Sequence, residues 1–224
     1  MIKLYLFDIE GTTTDIHFVH KVLFPYSYEK MDSFVNNHLN DESVKKALAN
    51  VQTTVLEEDK KSINTQESIE QLKTWIKSDR KHPALKELQG LIWADGYKKA
   101  EFKGHLYTDV KPFFESILAK NMKIGIYSSG SVQAQKLIFG YSVEGDLTPM
   151  ISYYFDTKVG HKREENSYVN IAKETGFAPS EIHFFSDIKE ELEAAQKAGF
   201  GVTQLLREGT QSSEFNGISG FDKF

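Results

Sequence analysis

The chain contains no cysteine. That excludes disulfide bonds and thiolate metal sites. It also lacks a positive balance: 27 Lys and Arg stand against 32 Asp and Glu, a formal net charge of −5. A broad nucleic-acid footprint needs a basic face, so that class of partner is not expected. No stretch approaches the roughly 20 apolar residues of a membrane-spanning helix. The N-terminus shows no basic segment, apolar run and small-residue cleavage site of the secretory kind. Internal repeats and low-complexity tracts are missing, and so are coiled-coil patterns and long apolar edges. The expectation from these absences is a soluble cytoplasmic monomer that engages neither nucleic acid nor membrane.

What is present is room for a core. The chain has 224 residues, 40% of them hydrophobic, enough for one large domain or for a core with a smaller inserted one. Four short apolar segments read as buried strands: Leu4–Phe7, Lys123–Tyr127, Ile151–Phe155 and Ile182–Phe185, with a weaker fifth at Val202–Leu206. Helical spacing separates the last four. It runs over Pro112–Lys120, Ser167–Thr175 and Lys189–Ala198, where Gly199 is a stop signal. Strands alternating with helices predict an α/β fold, a doubly wound parallel sheet.

Residues 16–104 break that alternation. They offer helical patterns at Val19–Leu39, Asp41–Asn50, Gln66–Ser78 and Pro83–Ala94, with a polar run at Glu57–Asn64 that reads as a solvated loop. The expected organisation is therefore a core of residues 1–15 and 105–224 with a helical insertion of residues 16–104, Gly104 lying in the return linker.

Chemistry gathers where predicted strands end. Leu4–Phe7 runs into Asp8-Ile9-Glu10-Gly11-Thr12-Thr13. Ligands of open α/β sheets sit beyond the carboxyl ends of the strands, and Gly11 permits the turn that aims Asp8 and Glu10 at one point. Two neighbouring carboxylates repel unless a cation lies between them. Mg²⁺ suits, because it takes a few carboxylates together with phosphate and water. An acidic turn after a strand is the plainer alternative. The second strand ends in Tyr127-Ser128-Ser129-Gly130-Ser131, either a phosphate cradle at a helix N-terminus or a Ser-rich cap. After the third come Asp156, Lys158, His161 and Lys162, and either lysine is able to neutralise a phosphate. His161 reads as a hydrogen-bonded loop residue. The fourth strand ends in Ser186-Asp187, so Asp187 is expected opposite Asp8 as a further metal ligand. Glu190 and Glu191 lie in the first turn of the following helix, where acids also favour the macrodipole. His17 and His20 have no third ligand nearby and belong to the entry of the inserted helices.

An aspartate after strand one, serine after strand two, lysine after strand three and an acid after strand four resemble the haloacid dehalogenase superfamily, and the insertion resembles its C1 cap. Most phosphatases of that superfamily carry Asp at the position of Glu10. The run Asp8-Ile9-Glu10-Gly11-Thr12-Thr13-Thr14, with Phe18 and Val22-Leu23-Phe24-Pro25-Tyr26, is similar to the enolase-phosphatase E1 (acireductone synthase) family. So are Leu88-Gln89-Gly90-Leu91-Ile92-Trp93, Gly96-Tyr97, Gln135-Lys136-Leu137, Gly160-His161-Lys162, and Ser186-Asp187-Ile188 with Glu191-Leu192. The resemblance spans cap and core and is weakest after Arg207.

This resemblance implies a small-molecule phosphate ester, 2,3-diketo-5-methylthiopentyl-1-phosphate, that is enolised and then dephosphorylated in methionine salvage. It implies Asp8, Glu10 and Asp187 as Mg²⁺ ligands and Ser128, Ser129 and Lys162 as substrate-binding residues. Asp8 would attack phosphorus and form an aspartyl-phosphate. Lys162 would assist at the phosphoryl oxygens, and Glu10 would protonate the leaving oxygen and then activate water. Trp93 and Tyr97 line the thioether pocket or simply pack the cap. Two rivals are a sugar-phosphate phosphatase without enolase activity and a receiver-like phospho-aspartate signalling module, although a receiver needs about half this length.

Overall fold

Leu4 and Leu6 pack to one side of a central sheet and Tyr5 and Phe7 to the other, the two-residue alternation of a strand covered on both faces. The computed structural model describes all 224 residues. In chain order its elements are β1 (Leu4–Phe7), α1 (Ile16–Phe18), a π-helical turn (Val19–Leu23), α2 (Phe24–Asn37), α3 (Glu42–Asp59), α4 (Thr65–Lys77) and α5 (Pro83–Lys98). There follow α6 (Val110–Ala119), β2 (Lys123–Tyr127), α7 (Val132–Gly140), β3 (Tyr153–Phe155), α8 (Glu165–Thr175), β4 (Ile182–Ser186), α9 (Lys189–Lys197), β5 (Gly201–Leu205) and β6 (Gly217–Ile218). Two units divide the chain: Met1–Phe18 with Lys103–Phe224, and Val19–Phe102.

The first unit holds one six-stranded sheet in the order β3-β2-β1-β4-β5-β6, with every pairing parallel. Leu4, Leu6, Ile182 and Phe184 share a buried cluster with Tyr168 and Ile171 of α8 and Leu192 of α9. On the opposite face Phe7 stacks on Phe185 at 5.0 Å and meets Phe114 of α6 and Phe221 of the tail. The strand order reverses between β1 and β4. At such a switch point the connections leave in opposite directions and open a crevice beyond the strand ends. Asp8 and Asp187 follow the two strands that flank it, paired Phe7 to Phe185.

The second unit is helical. Met31, Val35, Val44, Leu48, Val51, Val55, Ile69, Leu72, Trp75, Leu85 and Leu88 bury its core. None of its helices, nor any other in the chain, is long and apolar enough to cross a membrane.

Several sequence expectations change in detail. The segment read as Val19–Leu39 is two pieces, because Pro25 in the first turn of α2 lacks the amide that would carry a regular ladder through from the π turn. The helix expected to end at Asn50 continues to Asp59, since Val51 and Val55 extend its buried stripe. Three residues of the presumed loop Glu57–Asn64 are therefore helical, and Lys60 ends the helix with φ 56°. Asn64 caps α4: its side chain accepts from the Glu67 amide at 3.0 Å while its own amide donates to Glu67 at 2.9 Å. The third strand begins at Tyr153 rather than Ile151, and the two-residue β6 has no counterpart in the sequence reading.

Candidate active site

The first loop folds around one carbonyl. The amides of Thr12, Thr13 and Thr14 all reach Ile9 O, at 3.2, 2.9 and 2.9 Å, and Gly11 N bonds Thr14 O at 2.8 Å. Gly11 has φ +73°, and a Cβ there would run into the Asp187 carboxylate. Glycine is thus required twice over, by conformation and by space. The three threonines are fully buried, and Thr13 Oγ1 donates to Asp8 O at 3.1 Å. The main chain under Asp8 is pinned, and its amide extends the ladder to Phe185 O at 2.9 Å.

Asp8 and Lys162 form a buried pair, Nζ to Oδ1 2.5 Å. The same ammonium lies 2.6 Å from Glu191 Oε2. Burial works against the Lys162 charge, but Asp8 and Glu191 outweigh it and hold the ammonium above its ordinary range. For Asp8, burial pushes the carboxyl well up; Lys162 opposes this, and Glu191 and Asp187 reinforce it. The lysine's place is fixed from its main chain, where Tyr168 Oη donates to Lys162 O at 2.7 Å. Lys158, its competitor in the sequence, is exposed.

Asp187 is also pushed up, to about 6, first by burial and then by Glu191 and Glu10, against its own backbone hydrogen bond and Lys162. Thr12 Oγ1 accepts from Asp187 N at 3.1 Å and donates toward Oδ1 at 3.5 Å. Gln204 Nε2 donates to Asp187 O at 3.0 Å. Asp187 does not cap the helix that follows, because Ile188 occupies the cap position of α9.

Beyond β2, Ser128 is buried and Ser129 exposed. Ser128 Oγ accepts from Gly130 N at 3.1 Å, and Ser131 caps α7. Gln135 braces this turn, donating to Gly130 O at 2.9 Å and to Phe155 O at 2.8 Å. His161 is an exposed loop residue, as expected. His17 and His20 are exposed at the helical entry. In the helical unit Trp93 is buried, with its indole donating to Leu23 O at 2.8 Å, and Tyr97 is buried against Phe102.

The donor set fits a hard divalent cation. Asp8 and Glu191 share one lysine, and burial together with repulsion from neighbouring acids raises both Asp8 and Asp187. A dication would relieve that deficit of positive charge. The acids are not drawn into a ready cluster of three or more metal-ligating side chains. Mg²⁺ does not require one, since it binds through one or two carboxylates plus water and phosphate oxygens.

Sequence reasoning underrated Glu191. It stands four residues after Asp187, and helical side chains lean toward the N-terminus, which returns its carboxylate to Lys162 and to Ser186 Oγ at 2.9 Å. The i, i+4 spacing was the available signal. Thr12, Gln135, Gln204 and Arg207 were given no role; each bonds main-chain groups of the site, and such contacts leave no motif in the sequence.

A sequence profile described as haloacid dehalogenase-like hydrolase matches residues 2–199. The chain is 50% identical over 223 residues to Enolase-phosphatase E1 of Citrobacter koseri, covering 99% of this chain and 96% of that protein. It is 50% identical over 207 residues to Enolase-phosphatase E1 of Sulfurihydrogenibium sp., covering 92% and 89%. Among solved structures, UTR4 protein of Saccharomyces cerevisiae superposes with a TM-score of 0.84 at 33% identity, over 100% of both chains. A HAD phosphatase of Thermococcus onnurineus shares the fold, with a TM-score of 0.63 at 17% identity over 99% of this chain and 95% of that one. The chain belongs to the haloacid dehalogenase-like hydrolases and, within them, to the enolase-phosphatase E1 family.

Proposed function

We propose that this protein is an enolase-phosphatase acting on 2,3-diketo-5-methylthiopentyl-1-phosphate, which it enolises and then dephosphorylates, as a step of methionine salvage. The observation that carries phosphoryl transfer is the buried Asp8–Lys162–Glu191 array at the switch point of the sheet, with Asp187 after the adjoining strand. Enolisation rests on kinship with proteins named enolase-phosphatase E1.

Asp8 is the nucleophile. Its carboxylate attacks phosphorus, the bond from phosphorus to the ester oxygen breaks, that oxygen leaves with the substrate, and the phosphoryl group is carried as an aspartyl-phosphate until water releases it. The ammonium of Lys162 neutralises Asp8 at rest and holds phosphoryl oxygens as charge spreads over them. Ser128 and Ser129 hold the remaining oxygens from the loop beyond β2. Glu191 keeps Lys162 charged and aimed.

Asp8, Asp187 and Glu10 are the proposed holders of Mg²⁺. The ion, when bound, would offset the repulsion between the Asp8 carboxylate and the phosphate. Glu10 is also the proposed acid and base, protonating the leaving oxygen and then taking a proton from water. A carboxylate tied to a dication is a poor proton carrier, so Glu10 serves both roles only if its main-chain oxygen faces the ion. Enolisation removes a proton from the carbon bearing the phosphate ester, which the adjacent carbonyl makes acidic; Glu10 is one candidate base and residues of the helical insertion are the others.

The test is a Mg²⁺-dependent assay on the diketone phosphate and on a panel of simple phosphate esters, following enol absorbance and free phosphate together. Enol absorbance that precedes phosphate supports the proposal. Phosphate released from simple esters, with no enol formed from the diketone, reduces the protein to an ordinary sugar-phosphate phosphatase. A stable phospho-aspartate without turnover favours a signalling module.

A further inference from the structure

Arg207 lies just beyond β5, and its side chain is only 8% exposed. Its guanidinium grips a loop carbonyl and a carboxylate, and Nη1 also donates to the tail carbonyl Ser219 O at 3.4 Å. Nε and Nη2 donate to the carbonyl of Thr12, at 3.2 and 3.1 Å. Nη1 and Nη2 donate to the two oxygens of Asp109, at 2.9 and 3.0 Å. Asp109 immediately precedes α6, and its Oδ2 also accepts the Phe221 amide at 2.7 Å. The ring of Tyr107 lies 4.1 Å under the guanidinium, and the Tyr107 amide donates to the next carbonyl of the loop, Thr13 O, at 3.1 Å.

Thr12 therefore has its two ends in different company. Its carbonyl is held by the Arg207 fork, while its hydroxyl meets the amide and carboxylate of Asp187. A carbonyl needs one donor to be satisfied; two converging charged N–H groups also fix the plane of the peptide. Rotating that peptide would swing the Thr12 hydroxyl away from Asp187. The Arg207 charge is spent on Asp109 in a bidentate pair, so its effect on the acids is one of position rather than of counter-charge.

We propose that Arg207 is a positioning residue: through Thr12 it sets the Asp187 carboxylate in the geometry that binds the divalent cation. This rests on the metal-dependent reading of the site proposed above. A residue acting through a ligand's hydrogen-bond partner changes metal affinity by about 10–100-fold when removed. A residue that only fastened the tail would change stability and leave metal affinity alone.

The test measures Mg²⁺ binding to the full chain by calorimetry without substrate, alongside kcat and KM for the diketone phosphate. Three variants are compared with the wild type. Arg207→Met removes the fork. Arg207→Lys keeps the charge but not the planar two-point grip. Phe221→Leu loosens the same tail while leaving its amide on Asp109. Arg207→Met is expected to weaken Mg²⁺ binding about tenfold or more and to lower kcat, with KM for substrate changed less than about threefold. Arg207→Lys is expected in between, and Phe221→Leu is expected to melt earlier with unchanged Mg²⁺ affinity. Wild-type Mg²⁺ affinity in folded Arg207→Met overturns the inference, as does equal weakening in Phe221→Leu. Should Arg207→Met fail to fold, Arg207→Lys decides, and unchanged affinity there overturns it. A wild-type protein that neither binds Mg²⁺ nor turns over the diketone removes the functional reading and this inference with it; a wild type that does both, beside an indifferent Arg207→Met, removes this inference alone.

Discussion

Lys162 Nζ sits 2.5 Å from Asp8 Oδ1 although 154 residues separate them in sequence. Both side chains are almost wholly buried, at 8% and 6% exposed, and Glu191 completes the array from the other side of the ammonium. Removing one partner of a buried ion pair costs far more than the pair contributes, because the remaining charge has no solvent to turn to. Lys162→Met leaves two carboxylates without their shared cation. It should lower stability by about 3 kcal/mol near pH 7.5 and turnover by roughly 100-fold or more. Added Mg²⁺ should recover part of the stability and little of the turnover. Thermal unfolding with and without the ion, next to phosphate release, checks this; a variant that melts and turns over like the wild type would remove Lys162 from the site.

Burial gives Asp187 a pH-dependent effect on stability. Its folded value, about 6, lies above the ordinary 3.8, chiefly through burial. Between those values Asp187 binds more protons in the folded chain than in the unfolded one, so its contribution is fully present below about 3.8 and is lost as pH rises through about 6. At pH 7.5 the ionised group costs on the order of 3 kcal/mol. Asp187→Asn should therefore melt higher than the wild type at pH 7.5 without Mg²⁺, while losing Mg²⁺ binding. In the wild type, Mg²⁺ affinity should rise with pH through about 6, as the ion stops competing with a proton. Calorimetric titrations at pH 5.5 and 7.5 test both halves, and equal affinity at the two pH values would contradict this assignment.

His183 has the opposite sign. Burial among Tyr5, Phe185 and Phe224 lowers it from 6.5 to about 4, and its Nε2 lies 2.9 Å from Thr203 Oγ1. A histidine held neutral in the folded state gives stability that is complete above pH 6.5 and is lost as pH falls from 6.5 toward 4, on the order of 3 kcal/mol. His183→Gln keeps a partner for Thr203 but cannot charge. Its stability should fall less steeply than the wild type's over that interval in denaturant titrations. Parallel acid limbs would show that His183 is not buried in neutral form.

Gly11 tests the loop geometry without touching a charge. With φ +73° and the Asp187 carboxylate where a Cβ would stand, Gly11→Ala should cost about 1–2 kcal/mol of stability from the backbone alone. It should also weaken Mg²⁺ binding by displacing Asp187. A normal Mg²⁺ titration in this variant would mean that the two loops are not in register as described.

The sheet was legible because a strand buried on both faces reads as a short apolar run, and Leu4–Phe7 and Lys123–Tyr127 are such runs. The strand-end residues Asp8, Ser128 and Asp187 were legible for the same reason: knowing where a parallel strand stops tells which residue faces the crevice. Position alone did not separate Lys162 from Lys158, and only the family resemblance chose it, since the choice depends on how the loop after β3 folds back, with Ser167 Oγ bonding His161 O at 2.7 Å and Tyr168 Oη bonding Lys162 O. Glu191 was masked by a second, sufficient reason for an acid at a helix start. Arg207 and β6 escaped because two paired residues have no period to detect and a side chain bound to a carbonyl leaves no motif.

Whether Asp8 carries the phosphoryl group is decided by a single-turnover experiment. Enzyme in excess is mixed with Mg²⁺ and the diketone phosphate, quenched in acid at successive times and digested for mass spectrometry. Phosphate on the peptide containing Asp8, rising before free phosphate and absent in Asp8→Asn, is the predicted result. Phosphate released at full rate with no phosphorylated Asp8 peptide at any time, or with the label on another residue, would contradict it.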